Sequence, residues 1–427
     1  MSKMIQKTGV RALVLAAVMP LVVLLVGCGG GSRPPVVIVQ QGPLGAPAQT
    51  PLPTVLPAPI PTPTTGPLPG LSADATPVIA GAQGQALDAT MRRWIATQPA
   101  FHGTVQVSRG NNIYYSMAFG YADAASQLPM RPDAVWDWCS VSKQFGAAAV
   151  LKLQMMGRLR IDDPFSRYYP MPADKAAITI RQMLSHTSGL AQYEGDDATR
   201  EATLAAMVAL PLEFQPGTSW KYNNVNYTLM AAMIDRISGM RYEDFVRTYL
   251  LKPAGITGIT FLGEPDVDAS RVPKDLDGTG MQFRYGTTMP HWWRGAAGMM
   301  MTMRPLLQWD QALRTNAVLD DASKAELYRV VSNGYALGWF IDQANGETII
   351  SHDGAQINIS TMFYRAQGSD IVVCVATSRD NPALYDLCKT LHACGLGLAA
   401  PTAHMDETGP RFQSNQQARA RAQAGSR

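Results

Sequence analysis

The order of strand-like and helical patterns along the chain is the feature that most restricts its fold. Near the start of the central stretch, residues 104–108 and 112–120 read as two strands around the turn Arg109-Gly110-Asn111. Strand patterns return near its end, at 336–342, 347–352, 360–364 and 371–377. The patterns between them are mostly helical, and further helices are predicted at 84–97 and about 382–394. We therefore expect one α+β domain with a sheet from both chain ends, an inserted helical lobe and a cleft between the two.

The first 27 residues have the pattern of an export signal. Lys3, Lys7 and Arg11 form a basic region, and the apolar run over 12–26 is shorter than the ~20 residues of a transmembrane helix. The run ends in Leu25-Val26-Gly27-Cys28, which resembles the lipobox of bacterial lipoproteins, where the cysteine becomes the lipidated first residue. We expect an exported lipoprotein, anchored to a membrane at Cys28 and facing the periplasm or the cell exterior. The alternative is an ordinary cleaved signal with an incidental cysteine.

Two further segments lack the composition of a folded domain. Residues 28–81 are rich in Pro, Thr and Ala, which predicts an extended, disordered linker. It is either a spacer that holds the domain away from a membrane or a disordered segment with no spacing role. Residues 401–427 are polar, with repeated Gln, Ala and Arg, and are predicted to be a disordered tail. The predicted folded domain is therefore residues 82–400.

Charge and histidine content argue against two classes of partner. The chain has 36 Lys and Arg against 33 Asp and Glu, so its formal net charge of +3 gives no reason to expect nucleic acid binding. Its six histidines include no pair with metal-ligand spacing. We therefore expect no metal and no cofactor.

Ser140-Val141-Ser142-Lys143 is a candidate catalytic motif at the start of a predicted helix over 140–156. Residues three apart lie on one helix face, so the Ser140 hydroxyl and the Lys143 amine can interact. A desolvated lysine near the positive end of a helix dipole can lose its proton and act as a base. For Ser140 taken alone, a helix cap is the simpler interpretation.

The second motif is Tyr222-Asn223-Asn224, which follows a turn. A tyrosine there can carry a proton between a nucleophile and its leaving group. Asn224 can hold a substrate amide or orient the lysine. Taken alone, a buried tyrosine and a turn asparagine would have the same pattern.

The third motif is His352-Asp353-Gly354, at the end of a predicted strand. Gly354 permits a substrate to approach closely, and the backbone N–H of Ala355 would donate to an oxyanion. The N–H of Ser140 would be the second donor. Taken alone, a histidine at this place is more often structural.

Together these motifs and their order resemble the β-lactamase-related serine hydrolases, which include class C β-lactamases, DD-peptidases, D-aminopeptidases and family VIII-type esterases. The resemblance covers nearly the whole predicted domain. It implies a β-lactamase/transpeptidase-like fold, in which an antiparallel sheet from both chain ends is flanked by helices. Besides the three motifs above, the segments that carry it are Phe119-Gly120-Tyr121-Ala122-Asp123, Gly157-Arg158-Leu159-Arg160-Ile161-Asp162-Asp163-Pro164, Leu184-Ser185-His186-Thr187-Ser188-Gly189-Leu190 and Leu337-Gly338-Trp339.

The resemblance also implies a role for the motif residues. Ser140 would be the acylated nucleophile, Lys143 and Tyr222 the base and proton shuttle, and Asn224 a polar group on the substrate side. His352 stands where many β-lactamases carry lysine. The implied activity is hydrolysis of an ester, amide or peptide through an acyl-enzyme, with D-amino-acid peptides, cell-wall fragments and β-lactams among the substrates. The alternative is a non-catalytic lipoprotein that binds penicillin or the cell wall.

The third motif departs from the Lys-Thr-Gly of β-lactamases and DD-peptidases. In those enzymes the strand helps to bind a substrate carboxylate, which an ionised Asp353 would repel if it faced the cleft. The sequence leaves the direction of Asp353 open, and His352 is at most partly charged near neutral pH. We therefore expect an esterase or peptidase rather than an efficient β-lactamase. Asn358 replaces a glycine common in relatives, a mild change because asparagine tolerates left-handed backbone.

Three other residues near these motifs have mainly structural interpretations. His186 is expected to hold its loop together by hydrogen bonds, since Ser140, Lys143 and Tyr222 already supply the proton chemistry. Trp292 and Trp293 are expected either to line the cleft or to belong to the core or the surface.

The cysteines are not expected to be reactive or bridged. Cys139 directly precedes the candidate nucleophile and is interpreted as a small buried residue. Cys388 and Cys394 are six apart on a predicted helix, so they lie on different faces and are not expected to pair.

Overall fold

A computed structural model of the chain describes residues 76–98, 101–193, 195, 197–266, 268–274, 288–356, 358–379 and 383–399. The predicted export signal, the lipid anchor at Cys28, the linker up to residue 75 and the tail over 401–427 lie outside these residues. None of the helices in the described part of the chain is long and apolar enough to cross a bilayer.

A seven-stranded antiparallel sheet forms the centre of the domain. The strands of the described residues are β1 (Val78–Ile79), β2 (Gly103–Arg109), β3 (Asn112–Phe119), β4 (Tyr121–Asp123), β5 (Leu128–Pro129), β6 (Trp136–Asp137), β7 (Thr260–Phe261), β8 (Met299–Met301), β9 (Phe340–Ala344), β10 (Glu347–Gln356), β11 (Ile359–Ala366) and β12 (Ile371–Thr377). The large sheet has the order β1-β3-β2-β12-β11-β10-β9. β2 pairs with β12, so that Val105 lies opposite Val375. The sheet is therefore assembled from both ends of the chain, as the sequence predicts.

β12 lies inside this sheet, and all seven of its residues are buried. Its side chains alternate between two cores: Val373 and Val375 face one, and Val372 and Cys374 face the other. A strand that is buried on both faces needs a nearly continuous apolar sequence. This explains why β12 shows no alternation of polar and apolar residues.

Helices cover both faces of the sheet. Those of the described residues are α1 (Gly81–Thr97), α2 (Lys143–Met155), α3 (Ile180–Leu184), α4 (Arg200–Ala209), α5 (Asn224–Ser238), α6 (Tyr242–Val246), α7 (Met303–Arg314), α8 (Asp321–Leu327) and α9 (Leu384–Gly395). α1 and α9 pack on one face, where Leu87 and Leu387 join the smaller core. The lobe on the other face surrounds α2, whose residues are mostly buried. A helix that is apolar nearly all round belongs in the middle of such a lobe.

The structure corrects three predictions about the elements. β1 and the first residue of α1 lie inside the predicted linker. The strand predicted over 336–342 begins at Phe340, because Gly338, at φ +76°, turns the chain against α2; a Cβ on Gly338 would lie 3.0 Å from the Lys143 carbonyl oxygen. The inserted lobe also holds a small sheet of β6, β8 and β7, which the sequence did not reveal. Among the cysteines, no disulfide joins Cys388 to Cys394.

Candidate active site

Ser140 lies in a short 3₁₀ helix, Cys139–Ser142, that leads into α2. The α-helix predicted over 140–156 is therefore wrong in its first turn, and α2 begins at Lys143. Side chains three residues apart eclipse each other in a 3₁₀ helix. The Lys143 Nζ accordingly donates to the Ser140 Oγ at 2.9 Å. The predicted contact between hydroxyl and amine exists, although the local helix type differs.

The Lys143 side chain is fully buried and makes a second hydrogen bond. Its Nζ donates to the Ala296 carbonyl oxygen at 2.8 Å. Gly295 is required beside this carbonyl, because its φ is +86° and a Cβ there would lie 2.7 Å from both the Ala231 Cβ and the Tyr227 carbonyl oxygen. Burial disfavours a charged amine, and the neutral amine is the form that a base needs. The sequence did not reveal Ala296, since a backbone carbonyl has no side-chain signature.

Asp137 binds the backbone on both sides of the candidate nucleophile's turn. Its Oδ1 accepts hydrogen bonds from the Cys139 N–H at 2.6 Å and the Gly298 N–H at 3.2 Å. Cys139 has φ +47°, which is unfavourable for a residue with a side chain, so the Asp137 contact stabilises a strained turn. Burial raises the pKa of Asp137 to about 7. The sequence analysis missed this residue, although an acidic side chain within the apolar segment 135–138 is a usable signal.

The Cys139 thiol is enclosed beside this carboxyl group. Burial first, and then the nearby Asp137, raises the pKa of the thiol well above its usual value. The thiol therefore stays protonated near neutral pH, which agrees with its interpretation as a small buried residue.

Tyr222 and Asn224 come from the entry to α5. The Asn223 side chain caps this helix by accepting a hydrogen bond from its first turn. This cap holds Tyr222 just outside the helix, where its ring centre lies 5.0 Å from the Lys143 Nζ. The Asn224 N–H donates to the Gln192 Oε1 at 3.0 Å. The structure therefore brings Tyr222 close to Lys143, with Asn224 at the adjoining helix end.

His186 supports the segment that carries Tyr222. Its Nδ1 accepts a hydrogen bond from the Asn223 N–H at 3.1 Å, and its ring packs on Tyr222 with 4.3 Å between ring centres. Burial lowers the pKa of His186 well below its usual value. A neutral histidine that holds its loop by hydrogen bonds agrees with the structural role predicted for it.

His352 lies among aromatic side chains and is 1% exposed. Its Nδ1 lies 2.6 Å from the Asp353 carbonyl oxygen, and its Nε2 lies 3.0 Å from the Tyr335 hydroxyl. A carbonyl oxygen can only accept, so Nδ1 carries a proton and donates to it, while Nε2 and the Tyr335 hydroxyl share a hydrogen bond. The ring centre is 6.1 Å from that of Tyr222. His352 therefore lies in the surroundings of Tyr222, and its predicted contact with the substrate stays a prediction.

The end of β10 approaches the turn that carries Ser140. β9 pairs with β10 no further than Ser351, so the later residues of β10 extend beyond it. A Cβ on Gly354 would lie 2.5 Å from the Trp138 carbonyl oxygen and 2.9 Å from the Cys139 Cβ. Glycine is therefore needed for this approach. Ala355, whose backbone N–H is the predicted oxyanion donor, follows at the same end of the strand.

The register of the sheet gives the direction of Asp353. Asp353 lies opposite Met362 on β11, and Met362 belongs to the core beneath α1 and α9. Opposed residues of antiparallel strands share a face. Gly354, opposite Thr361, lies on the other face, where the Thr361 hydroxyl donates to the Trp138 carbonyl oxygen at 3.1 Å. The repulsion expected from an Asp353 facing the cleft therefore does not apply to this arrangement.

The two tryptophans have different environments. Trp293 is buried in a small core with Cys139 and Ile359. Trp292 is half-buried and stacks on Trp293 with 5.6 Å between ring centres. Trp292 and Trp293 were expected either to line the cleft or to belong to the core or the surface, and Trp293 belongs to a core. Asn358 has φ +57°, the left-handed conformation that asparagine tolerates.

Comparisons with known proteins agree with this architecture. The chain is 28% identical over 312 residues to penicillin-binding protein 4* of Bacillus subtilis strain 168, covering 65% of this chain and 68% of that protein. The octameric penicillin-binding protein homologue from Pyrococcus abyssi has a TM-score of 0.65 at 20% identity, covering 78% of this chain and 80% of that one. D-amino acid amidase from Ochrobactrum anthropi SV3 has a TM-score of 0.64 at 17% identity, covering 74% and 99%. The family model described as Beta-lactamase matches residues 89–395, and this chain therefore belongs to the beta-lactamase family.

Proposed function

We propose that this protein is a serine hydrolase that cleaves an ester, amide or peptide through an acyl-enzyme on Ser140. The observation that carries the proposal is the 2.9 Å hydrogen bond between the Ser140 Oγ and the fully buried Lys143 amine. A serine is a weak nucleophile until an adjacent base takes its proton. Lys143 is placed to be that base, and the Ala296 carbonyl holds its amine in position.

The reaction proceeds in two halves. The neutral Lys143 amine takes the Ser140 proton while the Oγ attacks the substrate carbonyl carbon, and the N–H groups of Ser140 and Ala355 stabilise the resulting oxyanion. The bond to the leaving group then breaks, and the leaving group receives the proton from Lys143 by way of the Tyr222 hydroxyl. Water gives a proton to the same groups, attacks the acyl carbonyl and releases the acid. That proton returns to Ser140.

The proposed substrates are small esters and D-amino-acid amides or peptides, including cell-wall fragments, ahead of β-lactams. His352 is buried against Tyr335, and Asp353 lies on the far face of the strand. This strand therefore supplies neither the fixed positive charge nor the hydroxyl of a Lys-Thr-Gly motif for a substrate carboxylate. The similarity to a penicillin-binding protein and to a D-amino acid amidase supports acyl transfer on substrates of this kind.

The test is hydrolysis of a short-chain p-nitrophenyl ester and of D-phenylalanine amide by the full chain. We expect Ser140→Ala to abolish turnover of whichever substrate the wild type cleaves. The exposed Ser126→Ala is the matched control and should behave as the wild type. Wild-type turnover in Ser140→Ala would contradict the proposal. Covalent penicillin labelling of Ser140 without turnover of any ester or amide would favour the alternative, a binding protein for penicillin or the cell wall.

We also propose that the protein is exported and anchored by a lipid on Cys28. The basic and apolar segments before Cys28 and the Pro-rich segment after it support this location. A Cys28→Ser variant should move from the membrane fraction to the soluble fraction. Equal membrane retention of the variant would refute the anchor.

A further inference from the structure

We propose that Asp137 is a positioning residue for acylation. Its carboxylate keeps the turn of Ser140 and the loop that orients Lys143 in one arrangement, and its negative charge promotes proton transfer from Ser140 to Lys143. This inference rests on the proposed function, because it concerns the acylation of Ser140.

A single oxygen of Asp137 joins two segments that are far apart in the sequence. Its Oδ1 accepts from the N–H of Cys139, the residue before Ser140, at 2.6 Å. The same atom accepts at 3.2 Å from the N–H of Gly298, two residues after the Ala296 carbonyl that binds Lys143. Loss of this oxygen would therefore disturb the nucleophile and its base together.

The contact to Cys139 also opposes a conformational preference. At φ +47° the Cys139 backbone is strained, and without Asp137 its buried N–H would lose its hydrogen bond. The turn would then relax and redirect the N–H of Ser140, the proposed oxyanion donor. Other contacts of the turn would remain, including the Trp138 N–H to the Met299 carbonyl oxygen at 3.0 Å and the Met299 N–H to the Ser142 Oγ at 3.3 Å. We therefore expect a local change rather than unfolding.

The second oxygen of Asp137 is buried and makes no hydrogen bond to the described residues. The charge of a buried carboxylate oxygen that accepts no hydrogen bond is weakly screened, so it interacts strongly with nearby charges. Two titratable groups interact with the Asp137 carboxylate, the Cys139 thiol and the Lys143 amine. The neighbouring segment of Gly298 and β8 contributes the Gly298 N–H and methionine side chains. Burial keeps the thiol neutral, so the charge acts mainly on Lys143 and stabilises the ammonium formed when Ser140 loses its proton. Because burial raises the pKa of Asp137 to about 7, this charge develops as the pH rises through that value.

The experiment measures the rate at which a fluorophosphonate probe labels Ser140 in the full chain between pH 5 and 9. Asp137→Asn keeps an oxygen that can accept both N–H groups but removes the charge. It should stay within about tenfold of the wild type at low pH and lack the wild-type rise through neutral pH. Asp137→Leu removes both properties and should label at least about 100-fold more slowly. Asp321→Asn, whose carboxylate is 83% exposed, is the control and should keep the wild-type profile.

Two results would overturn the inference: wild-type labelling by Asp137→Leu, or an unchanged rise with pH in Asp137→Asn. Circular dichroism checks that Asp137→Leu is folded, and if it is not, the pH profile of Asp137→Asn alone decides. A wild-type protein that is not labelled at Ser140 would refute the proposed function and this inference with it. A labelled wild type with unchanged variants would refute the role of Asp137 alone.

Discussion

The two sides of the candidate site are built in different ways. On the side of the helical lobe, Ser140 and Lys143 are three residues apart and meet within one turn of chain, at 2.9 Å. On the side of the sheet, Gly354 comes from a distant part of the chain and reaches the same turn because β10 is held in register by β9 and β11. One side depends on local geometry, and the other depends on the assembly of the whole sheet.

In the proposed mechanism, this difference separates the groups that move protons from the strand that faces the substrate. The Ser–Lys pair leaves little room for variation, since a one-residue change in spacing would separate hydroxyl and amine. The strand needs a glycine where its backbone approaches Trp138 and Cys139, but its side chains at 352 and 353 point to other surroundings. Those two positions can therefore depart from Lys-Thr while the backbone geometry is kept.

The largest effect is expected on the side of the helical lobe, where Ser140 and Lys143 meet. Lys143→Met removes the proposed base, so labelling of Ser140 by the fluorophosphonate should slow by about 10³-fold. The exposed Lys252→Met is the control and should label as the wild type does. Labelling of Lys143→Met at nearly the wild-type rate would show that another group activates Ser140. It would contradict the assignment of proton transfer to the side of the site that carries Ser140 and Lys143.

An intermediate effect is expected where the two sides meet. In Gly354→Ala the new methyl group would collide with the Trp138 carbonyl oxygen, the Cys139 Cβ and the Thr361 hydroxyl, so the strand must shift from the turn. We expect kcat/KM to fall by about 100-fold and stability to fall by about 1–3 kcal/mol.

Ester hydrolysis and urea unfolding of the same preparation measure both changes. Gly368→Ala is the matched control, because its Cβ would come no closer than 3.2 Å to the Glu347 carboxyl group, against 2.5 Å to the Trp138 carbonyl oxygen at Gly354. An active Gly354→Ala would mean that the site does not need this close approach.

The smallest effect is expected among the surroundings of Tyr222. Tyr335→Phe removes the hydroxyl that is hydrogen-bonded to the His352 Nε2, which should cost about 1 kcal/mol of stability. Labelling of Ser140 should change by less than about tenfold, because neither residue is assigned to the proton path. Tyr121→Phe, at a 40% exposed residue of β4, is the control for both urea midpoint and labelling. A loss as large as that of Lys143→Met would instead place Tyr335 in the proton path.

Much of the framework was predictable because it rests on short-range patterns. The strand-like patterns near both chain ends, with helical patterns between them, predicted a sheet from the two ends, and the antiparallel order agrees. The helix boundary at Ser140 was wrong because Asp137 and Cys139 impose a 3₁₀ turn there through a contact to Gly298. The strand predicted over 336–342 was too long because Gly338 packs against the backbone of Lys143.

The sequence by itself determined that strands lie near both chain ends and that Ser140 pairs with Lys143. Each of these follows from residue type and from spacing along a few residues, and those properties do not depend on the rest of the fold. The tertiary structure alone decided that the Ala296 carbonyl holds the lysine, that Asp137 joins two segments, that His352 contacts Tyr335 and that Asp353 lies on the far face of its strand. These contacts join segments remote in sequence or depend on strand register, and both are set only when the two cores are packed.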